Sequence, residues 1–463
     1  MAMTLENTVI KNGFCVGCAA CSAVNGSNYQ IKFDNYGCYT AYQKEETSNE
    51  VEKKLSQVCP FTSSINETHI SRELFGNDGA AFHEHIGYYQ GLYAGHVINE
   101  EYRLSSSSGG LVSKVLEILF EQKLIDGVLH VKRSSENGEL FNYSISNSIK
   151  ELQEGKKSRY YPINLMGVLK AIKGDGKRYA VVGIPCFVKS IRLLQREESG
   201  FENIKFFIGI ICGQLKSKYF TDVFKIPLQN FKSEITDIDF RIKLKNKPAH
   251  EYAVGFKTSD MDDFKITKPA KYIFGSDWGF GTLKYKSCDA CDDVFNETAD
   301  IVFGDAWVYP YSEDWKGTNL MIIRNAFLKK LLFENPVMSS EVNLTTLSEK
   351  DTLTTQEPSV RHRRQNLRYR LEVLKKNHDW VPAKRLDSVQ ISGEKNRKIQ
   401  DLRLKFASRS HYAMYYARKY NIPWFFEFRL MMISLKLRYY RIGPKAFVPS
   451  IVKKKLKLIF KKK

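Results

Sequence analysis

Nine cysteines, at 15, 18, 21, 38, 59, 186, 212, 288 and 291, are the residues of this chain best suited to chemistry. Cys15, Cys18 and Cys21 are separated by two-residue spacers in one short loop. That spacing lets a single loop offer thiolates to three irons of a cubane cluster, and the small Gly17, Ala19 and Ala20 between them leave room for backbone amides beside the sulfurs. Structural zinc more often takes its ligands as two separated pairs. The fourth ligand of such a cluster commonly lies farther on in a Cys-Pro pair, and Cys59-Pro60 is the one such pair here. A two-cluster ferredoxin repeats C-x2-C-x2-C-x3-C-P. The matching positions here are Asn25 after Cys21, and Leu55, Glu52 and Asn49 before Cys59. One site of such a module has lost every ligand, while Cys15, Cys18, Cys21 and Cys59 keep the other whole. The plainer readings are a zinc knuckle or cysteines packed by chance. Cys38, in NYGCY, falls outside the set and reads as a small buried residue or a free thiol.

Cys186, Cys212, Cys288 and Cys291 remain as a second four. The first two end apolar, strand-like runs, RYAVVGIPC and KFFIGIICG, and the last two form a C-x2-C in a later loop. Strand ends on one side of a sheet converge, so four thiolates can meet there. On spacing alone a zinc ion fits as well as a cluster. In a reducing compartment close-spaced cysteines point to metal ligands rather than disulfides.

The elements that must position these residues read as mixed α/β. RYAVVG, KFFIGI and ADIVFGD are short β-rich runs ending in Gly, Pro or Cys, the mark of buried strands feeding functional loops. Leu111, Val112, Val115, Leu116 and Leu119 in LVSKVLEILFEQKLI follow a helical period, which Asp126–Gly127 ends before GVLHV. No G-x-G-x-x-G occurs, which disfavours a Rossmann dinucleotide site. Ser105, Ser106, Ser107, Ser108, Gly109 and Gly110 precede that helix, and hydroxyls, unhindered amides and a positive helix end together can hold a diphosphate. An ordinary capped helix is the competing reading. Four segments emerge: a ferredoxin-like module at 1–75, the two parts of a core at 85–165 and 175–330, and a helical basic tail at 340–463.

The formal charge of +20 is uneven: residues 401–463 carry 17 Lys/Arg against Asp401 and Glu427. The near-balanced body and the lack of a recognised module argue against nucleic acid as a partner. No run of 18 apolar residues and no signal-like start are present, so a cytoplasmic protein is expected. SIVKKKLKLIFKKK can be drawn as an amphipathic helix, and with the upstream IPWFFEFRLMMISLKLRYY it suits peripheral contact with an anionic membrane. A solvated end and helices packed on the body are the alternatives. RHRR at 361–364 reads as a solvated or internally paired patch. No Ser-His-Asp, Cys-His or H-E-x-x-H pattern can be singled out.

CVGCAAC, SSSSGGLVSKVLE, KKSRYYP, VVGIPCFVKSIRLL, FIGIICG, FRIK and CDACDDVFNETADIVFGDAW, in that order, resemble the family of beta subunits of the deazaflavin-coenzyme (coenzyme F-420) hydrogenases and dehydrogenases. The resemblance covers about residues 10–330. It implies a flavoprotein core with FAD beside a [4Fe–4S] cluster on Cys186, Cys212, Cys288 and Cys291, and an N-terminal [4Fe–4S] cluster fed by a ferredoxin-like carrier. It also implies flavin contacts for Ser158, Arg159, Tyr160, Arg241, Lys243 and Asp305, each of which has a rival reading as surface charge or strand-end turn. Similar proteins include plant-type reductases of 7-hydroxymethyl chlorophyll and bacterial relatives near surface-polysaccharide pyruvyl transferases, which makes polysaccharide-synthesis enzymes candidate partners. Ile184, Phe187 and Gln214 depart from the family's usual residues, and these departures bear on substrate and on use of the deazaflavin. The expectation is therefore a cytoplasmic FAD and iron–sulfur oxidoreductase with two clusters. Its rivals are a non-catalytic electron-transfer or scaffold subunit at the membrane and a zinc-stabilised interaction protein.

Overall fold

Short β-branched and aromatic runs become the centre of one eight-stranded sheet. The computed structural model describes residues 4–77, 79–134, 138–387 and 393–443. Its strands are β1 (Tyr29–Phe33), β2 (Tyr39–Gln43), β3 (Ala81–His83), β4 (Gly87–Tyr89), β5 (Gly91–Val97), β6 (Gly127–Arg133), β7 (Phe141–Ser146), β8 (Tyr179–Gly183), β9 (Ile204–Ile210), β10 (Ile235–Ile242), β11 (Ala253–Thr258), β12 (Lys265–Ile266), β13 (Ile301–Asp305), β14 (Asn319–Ile323) and β15 (Val342–Thr346). The large sheet runs β15-β5-β14-β13-β9-β8-β6-β7. Its four central strands β13, β9, β8 and β6 are parallel, and the flanking pairings are antiparallel. The mixed α/β class expected from the sequence is the class observed.

Both faces of the sheet are covered, which is why its central strands read as nearly continuous apolar runs. Val115, Leu116 and Leu119 pack on one face with Ile208, Ile301 and Met321. Val188, Ile191 and Leu194 pack on the other with Val181, Phe207 and Val302. The helix Pro185–Glu197 is the crossover from β8 to its parallel neighbour β9. Parallel pairing brings the carboxyl ends of β8, β9 and β13 side by side, the edge at which open α/β sheets present ligands. The sheet draws strands from the 85–165 and 175–330 segments and takes one of its two edge strands, β15, from 342–346.

The helix that follows Gly110 is shorter than its apolar pattern suggests. It spans Leu111–Glu121, and Lys123 then adopts a left-handed φ of 53°. The Lys123 amide donates to the Phe120 carbonyl and the Leu124 amide to Leu119, so a helix-closing turn spends the last apolar residues on the return to β6. The N-terminal residues form the β1–β2 hairpin and the helices Asn49–Val58 and Glu67–Phe75. At the other end the helices Glu394–Lys419 and Pro423–Ile442 make an antiparallel hairpin joined at Tyr420–Ile422. SIVKKKLKLIFKKK lies outside the described residues. Among those described, no helix is long and apolar enough to cross a membrane.

Candidate functional site

The loop Cys15–Cys21 folds back on β2. Gly17 has a left-handed φ of 67°, and a side chain there would run into the Tyr39 side chain. Ala19 shares the left-handed region at φ 72°, a conformation that costs an L-residue energy and that only the surrounding packing sustains. The amides of Ala41 and Gly17 donate to the Cys15 sulfur at 3.2 and 3.4 Å. Cys59 ends the helix Asn49–Val58, its amide donating to the Leu55 carbonyl, and so joins the other three. Cys15, Cys18, Cys21 and Cys59 together line one apolar cavity with Leu5, Val9, Ile31 and Phe61. Burial pushes the Cys18 thiol to about 12, and Cys59 and Cys15 push it the same way. Burial raises Cys15 and Cys21 as well, and thiols raised in this way ionise together only around a strongly positive centre, so this donor set fits a cluster.

The second set forms at the sheet edge. Cys186 is in the first turn of the helix Pro185–Glu197, directly after β8, and Cys212 follows β9. Asn296 donates to the carbonyls of Gly183 and Ile210 at 2.8 and 3.4 Å, and so ties those two strand ends together. Cys288 and Cys291 arrive on the turn Lys286–Ala290, and the Leu215 amide donates to the Cys288 sulfur at 3.2 Å. Burial raises the Cys186 thiol, and Cys212, Cys291, Cys288 and Cys18 raise it further. Among the described residues no three His, Cys, Asp or Glu side chains are close enough to hold a single metal ion. A cubane asks for a wider ring, because each thiolate binds a different iron.

Cys38 belongs to neither set. Its buried thiol lies beside the Tyr285 hydroxyl, which in turn accepts the Tyr39 amide at 2.6 Å.

The serine–glycine loop sits at the end of β5. The Ser105 and Ser106 hydroxyls turn back on the Tyr102 carbonyl, and the Ser108 hydroxyl donates to Thr318. Ser105 and Ser106 thus serve as ordinary caps, and Ser108 ties the loop to the residue before β14. The Ser107 hydroxyl instead accepts the Ser158 amide at 2.7 Å and keeps its own proton. Among the described residues the amides of Ser107, Ser108, Gly109 and Gly110 donate to nothing in the chain. Four successive amides without an acceptor at a helix start are the kind of donors that a diphosphate needs. A Cβ on Gly109 would come within 2.6 Å of the Gly95 carbonyl oxygen and 2.9 Å of the Asn319 amide.

Of the other residues that the resemblance implied, Ser158 and Lys243 bond this loop directly. The Lys243 ammonium donates to the carbonyls of Arg103 and Ser108 at 2.6 and 2.9 Å, and burial lowers its pKa to about 7. Arg241 is buried and holds Asp305, at the end of β13, through two bonds of 2.7 and 3.1 Å. It is not a surface charge. Arg159 lies over the Phe141 ring, with its Nε buried and unpaired. Tyr160 packs edge-on against Trp278, whose ring also lies beside Gly213, the residue after Cys212. Trp278 thus links the serine-loop side to the second cysteine set.

Arg363 is the functional residue that sequence reasoning missed. Of RHRR, Arg361 is exposed, whereas His362, Arg363 and Arg364 are buried and internally paired, Arg364 with Asp387 at 2.8 Å. Arg363 donates to the Cys291 sulfur at 3.3 Å and to the carbonyls of Asp293 and Gly213, both at 2.6 Å, and its guanidinium also reaches Cys212. No local pattern marks it, since 72 residues separate it from Cys291. The segment that follows straps the N-terminal module to the core. Trp380 packs on Phe14, Arg385 bonds Asp292 and Glu297, and Glu67 pairs with Lys189 at 3.1 Å.

Two family models match the chain: the coenzyme F420 hydrogenase/dehydrogenase beta subunit N-terminal region over 92–170, and its C-terminal region over 176–350. Cys186, Cys212, Cys288, Cys291 and the serine loop fall inside these matches; Cys15–Cys59 and Arg363 fall outside. The chain is 27% identical over 204 residues to the F420-dependent formate dehydrogenase subunit beta of Methanocaldococcus jannaschii, covering 42% of this chain and 48% of that protein. It therefore spans about half the length of that relative. It is 24% identical over 264 residues to a subunit of the F(420)H(2) dehydrogenase of Methanosarcina mazei, covering 53% of this chain and 68% of that one. A chain of the F420-reducing [NiFe] hydrogenase complex from Methanosarcina barkeri superposes with a TM-score of 0.48 at 13% identity, covering 65% of this chain and 98% of that chain.

Proposed function

Because the chain belongs to the coenzyme F420 hydrogenase/dehydrogenase family of beta subunits, we propose that it is a flavin- and iron–sulfur-dependent oxidoreductase. Its donor in this reading is a ferredoxin-like carrier. Two of the relatives are named as subunits, and by analogy this chain works with protein partners. The observation that carries the reading is the gathering of eight of the nine cysteines into two sets, with Cys186 of one within electrostatic reach of Cys18 of the other. Bound clusters would pass single electrons, and bound FAD would collect two and release them as a hydride equivalent.

The chain's own residues do the rest. Ala41, Gly17 and Leu215 amides and the Arg363 guanidinium stabilise negative charge on the sulfurs. Ser107–Gly110 and Lys243 would hold a diphosphate, and the Arg241–Asp305 pair fixes β10 against the end of β13. The bacterial relatives near pyruvyl transferases direct the search for the acceptor to intermediates of surface-polysaccharide synthesis. Anaerobic purification followed by iron, sulfide, flavin and zinc analysis tests the proposal. Iron with sulfide and flavin supports it; iron without flavin supports an electron-transfer subunit, and zinc in their place overturns it.

A further inference from the structure

The helix Pro423–Ile442 is apolar on two opposite sides. Phe426, Leu430, Ile433 and Leu437 are buried against the body, with Phe426 meeting Phe274 edge-on, and Arg441 pairs with Asp277 at 3.1 Å. The docked side is therefore satisfied. At 100° per residue the opposite side carries Trp424, Phe428, Met431, Met432, Tyr439 and Ile442 in one stripe. Trp424, Phe428 and Met432 are 56%, 63% and 64% exposed, far beyond the scattered surface apolar residue that needs no explanation.

The charge around the stripe selects its partner. Arg429, Lys436 and Arg438 are exposed along its two margins, and Glu427 is the one acid in the helix. Beyond Gly443 the chain continues for 20 residues with eight lysines and no acid. Apolar and aromatic side chains on one surface, flanked by cations and followed by a polybasic run, match the acyl–headgroup boundary of an anionic bilayer. The helix is too short of apolar windows to span such a bilayer. We propose that the outer stripe of Pro423–Ile442 lies flat on an anionic lipid surface, held there electrostatically by the lysines that follow. This docking is independent of which cofactors the core holds.

The test uses the full-length protein, sedimented with phosphatidylcholine vesicles that contain or lack phosphatidylglycerol. Binding to the anionic vesicles is expected, with loss at high salt. The triple variant W424S/F428S/M432S is expected to bind about tenfold or more weakly, and truncation after Gly443 to lose the preference for phosphatidylglycerol. If the triple variant fails to fold, W424F serves instead: vesicles of brominated phosphatidylglycerol should quench wild-type tryptophan fluorescence and leave that variant markedly less quenched. Equal binding to neutral vesicles, no binding to either, or quenching unchanged by W424F overturns the proposal. So does a photo-crosslinker at position 428 that attaches to a protein while vesicle binding is absent.

Discussion

Cys18 and Cys186 belong to different cysteine sets, yet Cys186 lies within electrostatic reach of Cys18. Ser190, one helical turn beyond Cys186, has its hydroxyl beside the Cys18 sulfur. The Leu165 amide of the core donates to the Cys18 carbonyl at 3.2 Å. The N-terminal module is thus seated with its cysteines facing the helix that begins at the second set. In a chain proposed to transfer electrons, that is the contact on which transfer between the two sets depends.

Loss of one ligand should be local. Cys18→Ala is expected to lower iron by about four per chain and to leave the other set loaded, and Cys186→Ala to do the reverse. Iron and sulfide analysis with electron paramagnetic resonance of each reduced variant checks this. A loss of one metal ion per variant would point to isolated single-ion sites.

Arg363 places a buried positive charge against Cys291 and Cys212. Reduction adds negative charge, so Arg363→Gln is expected to lower the midpoint potential of the second site by about 60 mV or more, a tenfold or greater change for a one-electron couple. Arg363→Lys retains the charge without the planar fork and should fall between. Redox titration of both variants decides the matter; an unmoved potential would make Arg363 purely structural.

Much of the site was legible from local pattern. RYAVVG, KFFIGI and DIVFGD became β8, β9 and β13 because short β-rich apolar runs of that length suit strands of a sheet covered on both faces. C-x2-C-x2-C and Cys-Pro placed the first set because loop spacing carries its geometry. What escaped was non-local. Nothing near Arg363 shows that the chain returns it to Cys291, 72 positions earlier, and a run of four basic residues looks the same on a surface or in a core. The pairing of β5 with both β14 and β15 is likewise set by tertiary packing. The end of the helix at Glu121 was hidden because Lys123 takes a left-handed conformation usually reserved for glycine or asparagine.

Gly109 has no room for a side chain between Gly95 and Asn319. Gly109→Ala should displace the amides of the loop, so extractable flavin is expected to fall about tenfold while iron is retained. Ser107→Ala, which keeps the amides, should lose less. Flavin fluorescence after acid extraction measures both, and full flavin content in Gly109→Ala would remove the loop from the flavin site.

His130 is buried with its ring at 2.8 Å from the Ser146 hydroxyl, and burial pushes its pKa down to about 4. A depressed histidine is neutral in the folded chain and protonates more readily when unfolded. Its contribution is therefore fully present above pH about 6.5 and is lost as pH falls towards 4, on the order of 3 kcal/mol in all. His130→Gln cannot titrate, so its urea midpoint should depend less on pH through that window than that of the wild type. Parallel curves for the two proteins would contradict this.

The most direct test is electron paramagnetic resonance of the anaerobically purified, fully reduced chain, with iron and sulfide measured on the same sample. The arrangement of Cys18 and Cys186 calls for about eight irons per chain and a spectrum broadened by magnetic interaction between two neighbouring [4Fe–4S] clusters. Each single-cysteine variant should lose that broadening. About four irons or fewer, or two sharp and independent signals, would contradict it.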